Sequence, residues 1–510
     1  MVKRHLPSEA ALVGVLALWL IPQVFSMRLV DDEFITLNNA LRILAGEVMY
    51  RDFFEFTAPL SHYAAALTFA VTGPSLVTAR AVQAIALLVS AWQLHRLARL
   101  LGVGPWLAML PGLTLVLALF RIWPVYSHHW FALPFFLGAM LLAMRGLMDR
   151  RARWWAAAGA ASGLTLLSIQ SDGAVILIAI AGLLLLHGLM GGMRWREAGI
   201  GLGSLLAGWL GAVALGHGYF LAHGALDDIL NHTWLWALNH YKVAGGINDF
   251  QFAADLPAVV QPVTQLPFWY GRLFHFVFLF TVLPATAVVG LLWGASALWR
   301  RTTQGGGWSR EEARFALVAI AAVGSMALAT RGRADYIHVA FYAVVPVLMA
   351  TALAARLWAA RGTPEWRLVR GLPLAALGLF CLTGAYIGAR ELMLDPQALR
   401  LSSPDQRFKE TPVIRYLQER SQPEDRIVAL PYGGFFYFYS RPSASRYTLM
   451  VPPGIGFDYN TEAEYRAVWD EITTERPRFV VFSPWRDGET ELEGFLRYPL
   501  PGYRRAAALP

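Results

Sequence analysis

The sequence predicts an all-α polytopic membrane protein of about eleven transmembrane helices, followed by a small α/β domain outside the membrane. Three observations carry that expectation. Hydrophobic residues make up 56% of the 510-residue chain and charged residues 15%, against about 45–50% and about 25% in soluble domains; the mean hydropathy is +0.44. Apolar runs near the roughly 20 residues needed to cross a bilayer recur along residues 1–388. Beyond residue 388 the chain becomes charged and is punctuated by Pro and Gly. Residues 1–388 are therefore read as the membrane domain and 389–510 as the second domain.

MVKRH precedes the first span, 10–27, which has no small-residue cleavage site and is read as a retained helix. An acidic outside loop, 28–74, follows. Within it 61–73 (SHYAAALTFAVTG) is too short to span, at about 13 residues, and is read as a helix lying on the membrane surface. Spans are placed at about 75–95, 104–121, 131–147, 154–169, 173–190, 198–220, 272–298, 313–330, 339–358 and 371–388. Under this count every inside loop is basic, from Arg96 and Arg99 through Arg150, Arg151 and Arg153 to Arg361, Arg367 and Arg370. The N-terminus is then cytoplasmic, and the acidic loop, the loop 221–271 and the C-terminal domain are extracytoplasmic, as in a bacterial-type inner membrane protein. The net charge of +8 is spread over these short clusters and is not a nucleic-acid footprint. In the last domain TPVIRYLQERSQ and EAEYRAVWDEITTERP read as helices, and DRIVALP and RFVVFSP as strands. The single cysteine, Cys381, lies in an apolar run, which excludes a disulfide framework and a cysteine metal site.

Chemistry concentrates in residues 28–60, RLVDDEFITLNNALRILAGEVMYRDFFEFTAPL. This stretch holds six carboxylates: Asp31, Asp32, Glu33, Glu47, Asp52 and Glu55. Acids this close to hydrocarbon are functional suspects. Transfer of a sugar to a hydroxyl needs a carboxylate that takes the acceptor's proton, and Asp31, Asp32 and Glu33 are the candidates. Adjacent acids also allow a divalent cation held by oxygen ligands, though the sequence commits to no metal. The competing reading is an acidic N-terminus for the helix FITLNNALRILAG.

The stretch DDEFITLNNALRILAGEVMYRDFFEFTAPLSHYAAALTFAVTGPSLVTARAVQ resembles GT-C polytopic glycosyltransferases. The similarity is greatest to the branch of protein mannosyltransferases, lipid A aminoarabinose transferases and lipopolysaccharide galacturonosyl transferases. The matching positions are Asp32, Glu33, Gly46, Tyr50, Arg51, Asp52, Phe53, Pro59, Leu60, Gly73 and Arg80. The resemblance implies a polyprenyl-phosphate-linked sugar donor, an active site at the outer membrane face and a first-loop Asp as base, placed on Asp32 or Asp31. The acceptor would be an envelope lipid, glycan or protein, and membrane lipid a further partner.

Many relatives carry a second acid in the next outside loop, which here reads RIWPVYSHHW. His128 and His129 stand there instead, as proton shuttle or metal ligand, or as interfacial residues beside Trp123, Tyr126 and Trp130. Asp172, in IQSDGAV, lies in a turn that resembles one near the donor in relatives, or is an ordinary turn residue. RGRADYIH concentrates Arg331, Arg333 and His338 on the outside, where a lipid phosphate suits paired guanidinium bonds. Arg51 joins that donor-phosphate set, Asp335 would orient an arginine, and Lys242 is a weaker version of the same idea. The rival class is a transporter or flippase for a lipid-linked sugar, or a non-catalytic assembly scaffold of the same fold. Paired repeats and midplane charges would mark a transporter, and neither is visible. The run YGGFFYFYSRPSASRY is read as core packing before sugar stacking.

Overall fold

The computed structural model describes residues 6–239, 269–304, 307–331, 336–359, 364–430, 432–448, 462–482, 502–504 and 506. α1 (Leu6–Val24) leads through α2 (Asp31–Leu44) and α3 (Leu60–Thr72) into α4 (Leu76–Leu100). Next come α5 (Leu107–Ile122), α6 (His128–Asp149), α7 (Ala152–Leu166), α8 (Gln170–Leu189) and α9 (Trp195–Ala222). They are followed by α10 (Trp269–Gln304), α11 (Arg310–Arg331), α12 (Tyr336–Tyr342), α13 (Val344–Ala359) and α14 (Pro364–Met393). Among the described residues eight helices are long and apolar enough to cross a membrane, which makes this a multi-pass membrane protein. The segments expected to span at 104–121, 154–169 and 339–358 form shorter helices: α5, α7 of 15 residues, and the divided pair α12 and α13. α5 passes from a tight 3-10 turn through a π-turn at Leu115–Leu119 and back. α14 lies so near it that a Cβ on Gly384 would stand 2.5 Å from the Leu117 carbonyl oxygen.

Membrane helices gain little from excluding water from one another, so small residues that let backbones touch decide the packing. A Cβ on Gly159 of α7 would stand 1.9 Å from the Leu205 oxygen of α9, and one on Gly208 of α9 1.9 Å from the Ala156 oxygen. Further along, a Cβ on Gly163 would meet Ala212 and one on Gly216 would meet Leu167, so the contacts advance together and the two helices run side by side in parallel. At one end of the bundle Arg150 pairs with Glu197 (3.0 Å), Arg356 with Glu311 (2.9 Å), and Arg314 donates to the Leu100 carbonyl (2.8 Å). The other end carries α3, the N-termini of α6 and α8, and the C-terminal segment.

In that segment β1 (Ile427–Leu430) pairs in parallel with β2 (Phe479–Phe482), Ile427 opposite Phe479, and α15 (Gly434–Tyr439) and α16 (Glu462–Glu475) lie between them in sequence. Both strands coincide with those read from the sequence. Phe435, Phe436, Tyr437 and Tyr439 of α15 are buried in one core with Phe34, Leu37 and Phe69. The aromatic run is thus core, shared with α2 and α3.

Candidate active site

α2 begins after an extended Val30, so Asp31, Asp32 and Glu33 form its first turn, where the helix dipole favours anions. The acids then diverge. Glu33 is fully buried and accepts from Arg80 Nε (3.0 Å), Arg80 Nη2 (2.6 Å) and the Tyr126 backbone N–H (2.8 Å). Arg80 also donates to the carbonyls of Ser26 (2.6 Å) and Arg28 (2.8 Å). Glu33 is an anchor with its lone pairs occupied and no access to an acceptor, which corrects its place among the catalytic acids. Asp32 is exposed on the same turn. The side chain of Asp31 lies outside the described residues.

The chain then turns on Gly46 (φ +91°) and on Tyr50, whose φ of +74° is a strained left-handed conformation for a side-chain-bearing residue. Burial of its ring against Phe220 and the bond from its hydroxyl to the Thr57 carbonyl (2.8 Å) hold it there. Arg51 donates to both oxygens of Asp52 (2.8 Å each) and to the His223 carbonyl (3.0 Å). That bond, with help from the Val48 N–H, keeps the Asp52 carboxyl below the usual range. Arg51 therefore ties the loop to the end of α9 while its side chain stays exposed.

Glu55 is the buried centre of the next turn. One oxygen accepts from Phe56 N, Thr57 N and Thr57 Oγ1 (2.9 Å each), the other from Asn39 Nδ2 (2.8 Å). Burial raises its carboxyl above the ordinary carboxylate range against the pull of these donors. His62 Nε2 lies 2.9 Å from Thr57 Oγ1 and 3.9 Å from Glu55. Burial pushes this imidazole down to about 3, with the Thr36 backbone opposing.

His62 consequently stays neutral in the folded protein while the unfolded chain takes up a proton near pH 6.5. Its contribution to stability is fully present above pH 6.5 and is lost as pH falls toward 3, at about 1.4 kcal/mol per pH unit. His62→Gln is expected to flatten the acid limb of stability. Melting midpoints of both proteins from pH 7 to pH 5 check this: a limb equally steep in both discounts His62.

The other candidates gather around this turn. The His62 and His128 rings are electrostatic neighbours, as are those of His128 and His338. His128 and His129 have ring centroids 4.3 Å apart, His129 stacks on Phe341 at 4.0 Å, and His338 is 5.6 Å from His129. Tyr126, which binds Glu33, also donates its hydroxyl to the Ser61 carbonyl (2.8 Å). Leu60 N donates to the Leu167 carbonyl (2.8 Å), and Gln170 Nε2 to the carbonyls of Phe56 and Thr233 (3.3 Å each). Asp172 is thereby brought beside the loop, half-buried in the first turn of α8 and 3.5 Å from the Ser171 hydroxyl. Arg333 and Lys242, with Asp335 and the side chain of Arg331, lie outside the described residues. Among the described residues no three His, Cys, Asp or Glu side chains converge to hold a metal ion.

Sequence reasoning passed over Glu55, His62 and Arg80 as site-builders. The Arg80 signal was present in the matched pattern, whereas nothing in the spacing distinguishes Glu55 from the five other carboxylates.

This arrangement, a bundle of apolar helices with an acidic first loop locked at one end, is the GT-C fold of polytopic membrane glycosyltransferases. The chain is similar, with a TM-score of 0.55 and 12% identity over 93% of its length and 89% of the other's, to ArnT from Cupriavidus metallidurans, solved bound to undecaprenyl phosphate. It also matches the archaeal oligosaccharyltransferase AglB from Archaeoglobus fulgidus, in complex with an inhibitory peptide and a dolichol-phosphate, at 15% identity and a TM-score of 0.44, covering 85% of this chain and 64% of that one. A further match is the arabinosyltransferase EmbB from Mycobacterium smegmatis, at 16% identity and a TM-score of 0.36, over 76% of this chain and 41% of that one. No protein-family model matches the sequence, and neither does any curated protein.

Proposed function

We propose that the protein transfers a sugar from a polyprenyl-phosphate-linked donor to an envelope acceptor, a lipid, glycan or protein, at the outer face of the inner membrane. The N-terminus is cytoplasmic, and α2, α3 and the segment after residue 388 lie on the outer side. Asp32, or Asp31 beside it, takes the proton of the acceptor hydroxyl as that oxygen attacks the anomeric carbon. The bond from that carbon to the phosphate oxygen breaks, its electron pair leaves with the polyprenyl phosphate, and the configuration inverts. Arg331, Arg333 and His338 meet the departing phosphate. His128 and His129 serve as proton shuttle, and Asp172 stands near the donor.

The observation that carries this reading is the placement of an exposed acid, Asp32, next to the buried Glu33–Arg80 anchor on a GT-C fold. Mass spectrometry of envelope glycolipids from cells with and without the protein tests it. A polyprenyl-linked sugar is expected to accumulate without the protein while one modified lipid, glycan or protein disappears. Identical lipid and glycan profiles overturn the proposal.

A further inference from the structure

We infer that the C-terminal segment is a positioning device for α2, so that the site of the preceding reading, on which this rests, is complete only with carboxylates contributed from beyond residue 390. Two of them act on the near side. Asp395 Oδ2 accepts from the Met27 backbone N–H (2.8 Å) and the Ser26 hydroxyl (3.1 Å). Asp405 accepts from the Leu76 backbone N–H (2.9 Å) and the Ser75 hydroxyl (2.7 Å), at the start of α4, and from the Tyr439 hydroxyl (2.9 Å).

These contacts fall at the two ends of the buried anchor. Residues 26–28 are the stretch whose carbonyls Arg80 grips, and Leu76 lies one helical turn before Arg80 itself. Each also serves its own segment, Asp395 by accepting from the Ala398 N–H (3.1 Å) and Asp405 from the Tyr439 hydroxyl, yet both reach beyond it. Asp395 and Asp405 bind the chain immediately before the proposed base and the helix that carries its anchor. Hydrogen bonds that a carboxylate accepts from backbone N–H groups are short and strong, which suits them to fixing a position.

The far side of α2 is held as well. Asn38 Nδ2 donates to Thr448 Oγ1 (3.0 Å), and Arg42 Nη1 to the Ser445 carbonyl (2.9 Å). A Cβ on Gly434 would stand 2.6 Å from the Phe34 carbonyl, so only glycine lets α15 lie directly against the α2 backbone. Contacts on one side alone would leave a hinge. Contacts on both sides fix the depth and rotation of α2, and hence where Asp32 stands.

The test uses the full-length protein and the separate variants Asp395→Asn and Asp405→Asn, which keep side-chain shape and lose the charge. Hydrogen exchange by mass spectrometry is read over residues 26–33 and, as a control, over α7 and α9. Sugar transfer in membranes and binding of undecaprenyl phosphate are measured on the same preparations. Exchange over 26–33 is expected to quicken by about tenfold, and transfer to fall by about tenfold, because small displacements of a reacting group are costly. The α7 and α9 peptides and undecaprenyl phosphate binding stay unchanged. Unaltered exchange over 26–33, or an equal rise in α7 and α9, overturns the inference, as does local loosening with undiminished transfer. A wild-type protein that transfers no sugar sinks the proposed function instead, while the exchange data still decide whether the C-terminal segment holds α2.

Discussion

Asp32→Asn is expected to lower sugar transfer by about 10²–10⁴-fold, the span that a general base supplies. Asparagine fills the same volume but cannot accept the proton that the attacking hydroxyl must shed. Asp32 is exposed at the start of α2, so the variant should fold, purify and melt as the wild type does. Asp31→Asn, assayed alongside, assigns the base within the doublet: the acid whose amide keeps wild-type turnover has no part in proton transfer. If both retain it, the reaction uses neither.

Arg80→Ala is expected to produce the largest loss of stability. It strands a fully buried Glu33 without its counter-charge and leaves the Ser26 and Arg28 carbonyls without their donor. Breaking a buried pair from one side costs about 3–5 kcal/mol, whereas replacing both partners by apolar residues of similar size costs far less. Arg80→Met combined with Glu33→Leu should therefore recover much of what Arg80→Ala loses. Denaturation midpoints in detergent, read for all three proteins, decide the matter. A single variant as stable as the wild type would mean that the pair does not hold the loop.

Much of the fold was legible because lipid imposes a simple rule: runs that cross must be apolar and long. α3, read at 61–73, occurs at Leu60–Thr72, since a 13-residue apolar patch ended by glycine and proline has few alternatives. Strands at DRIVALP and RFVVFSP were equally plain. The short helices were not, because hydropathy reports what is buried and not how far a helix runs. Glu33 could not be told from Asp32 by chemistry or spacing, for its partner Arg80 is 47 residues away. Glu55 meets Asn39 of α2 only after Gly46 and Tyr50 turn the chain back. The hold of Thr448 on Asn38 joins residues 410 apart, a pairing that no local pattern announces.

The shortness of α7 has a consequence for how the first loop is seated. Gly216 of α9 lies level with Leu167, directly after α7 ends, yet α9 continues to Ala222, about 9 Å higher at 1.5 Å per residue. The first loop bridges that step, bonded at the bottom through Leu60 to Leu167 and at the top through Arg51 to His223. Over this step the first loop, and not α7, is what packs beside α9.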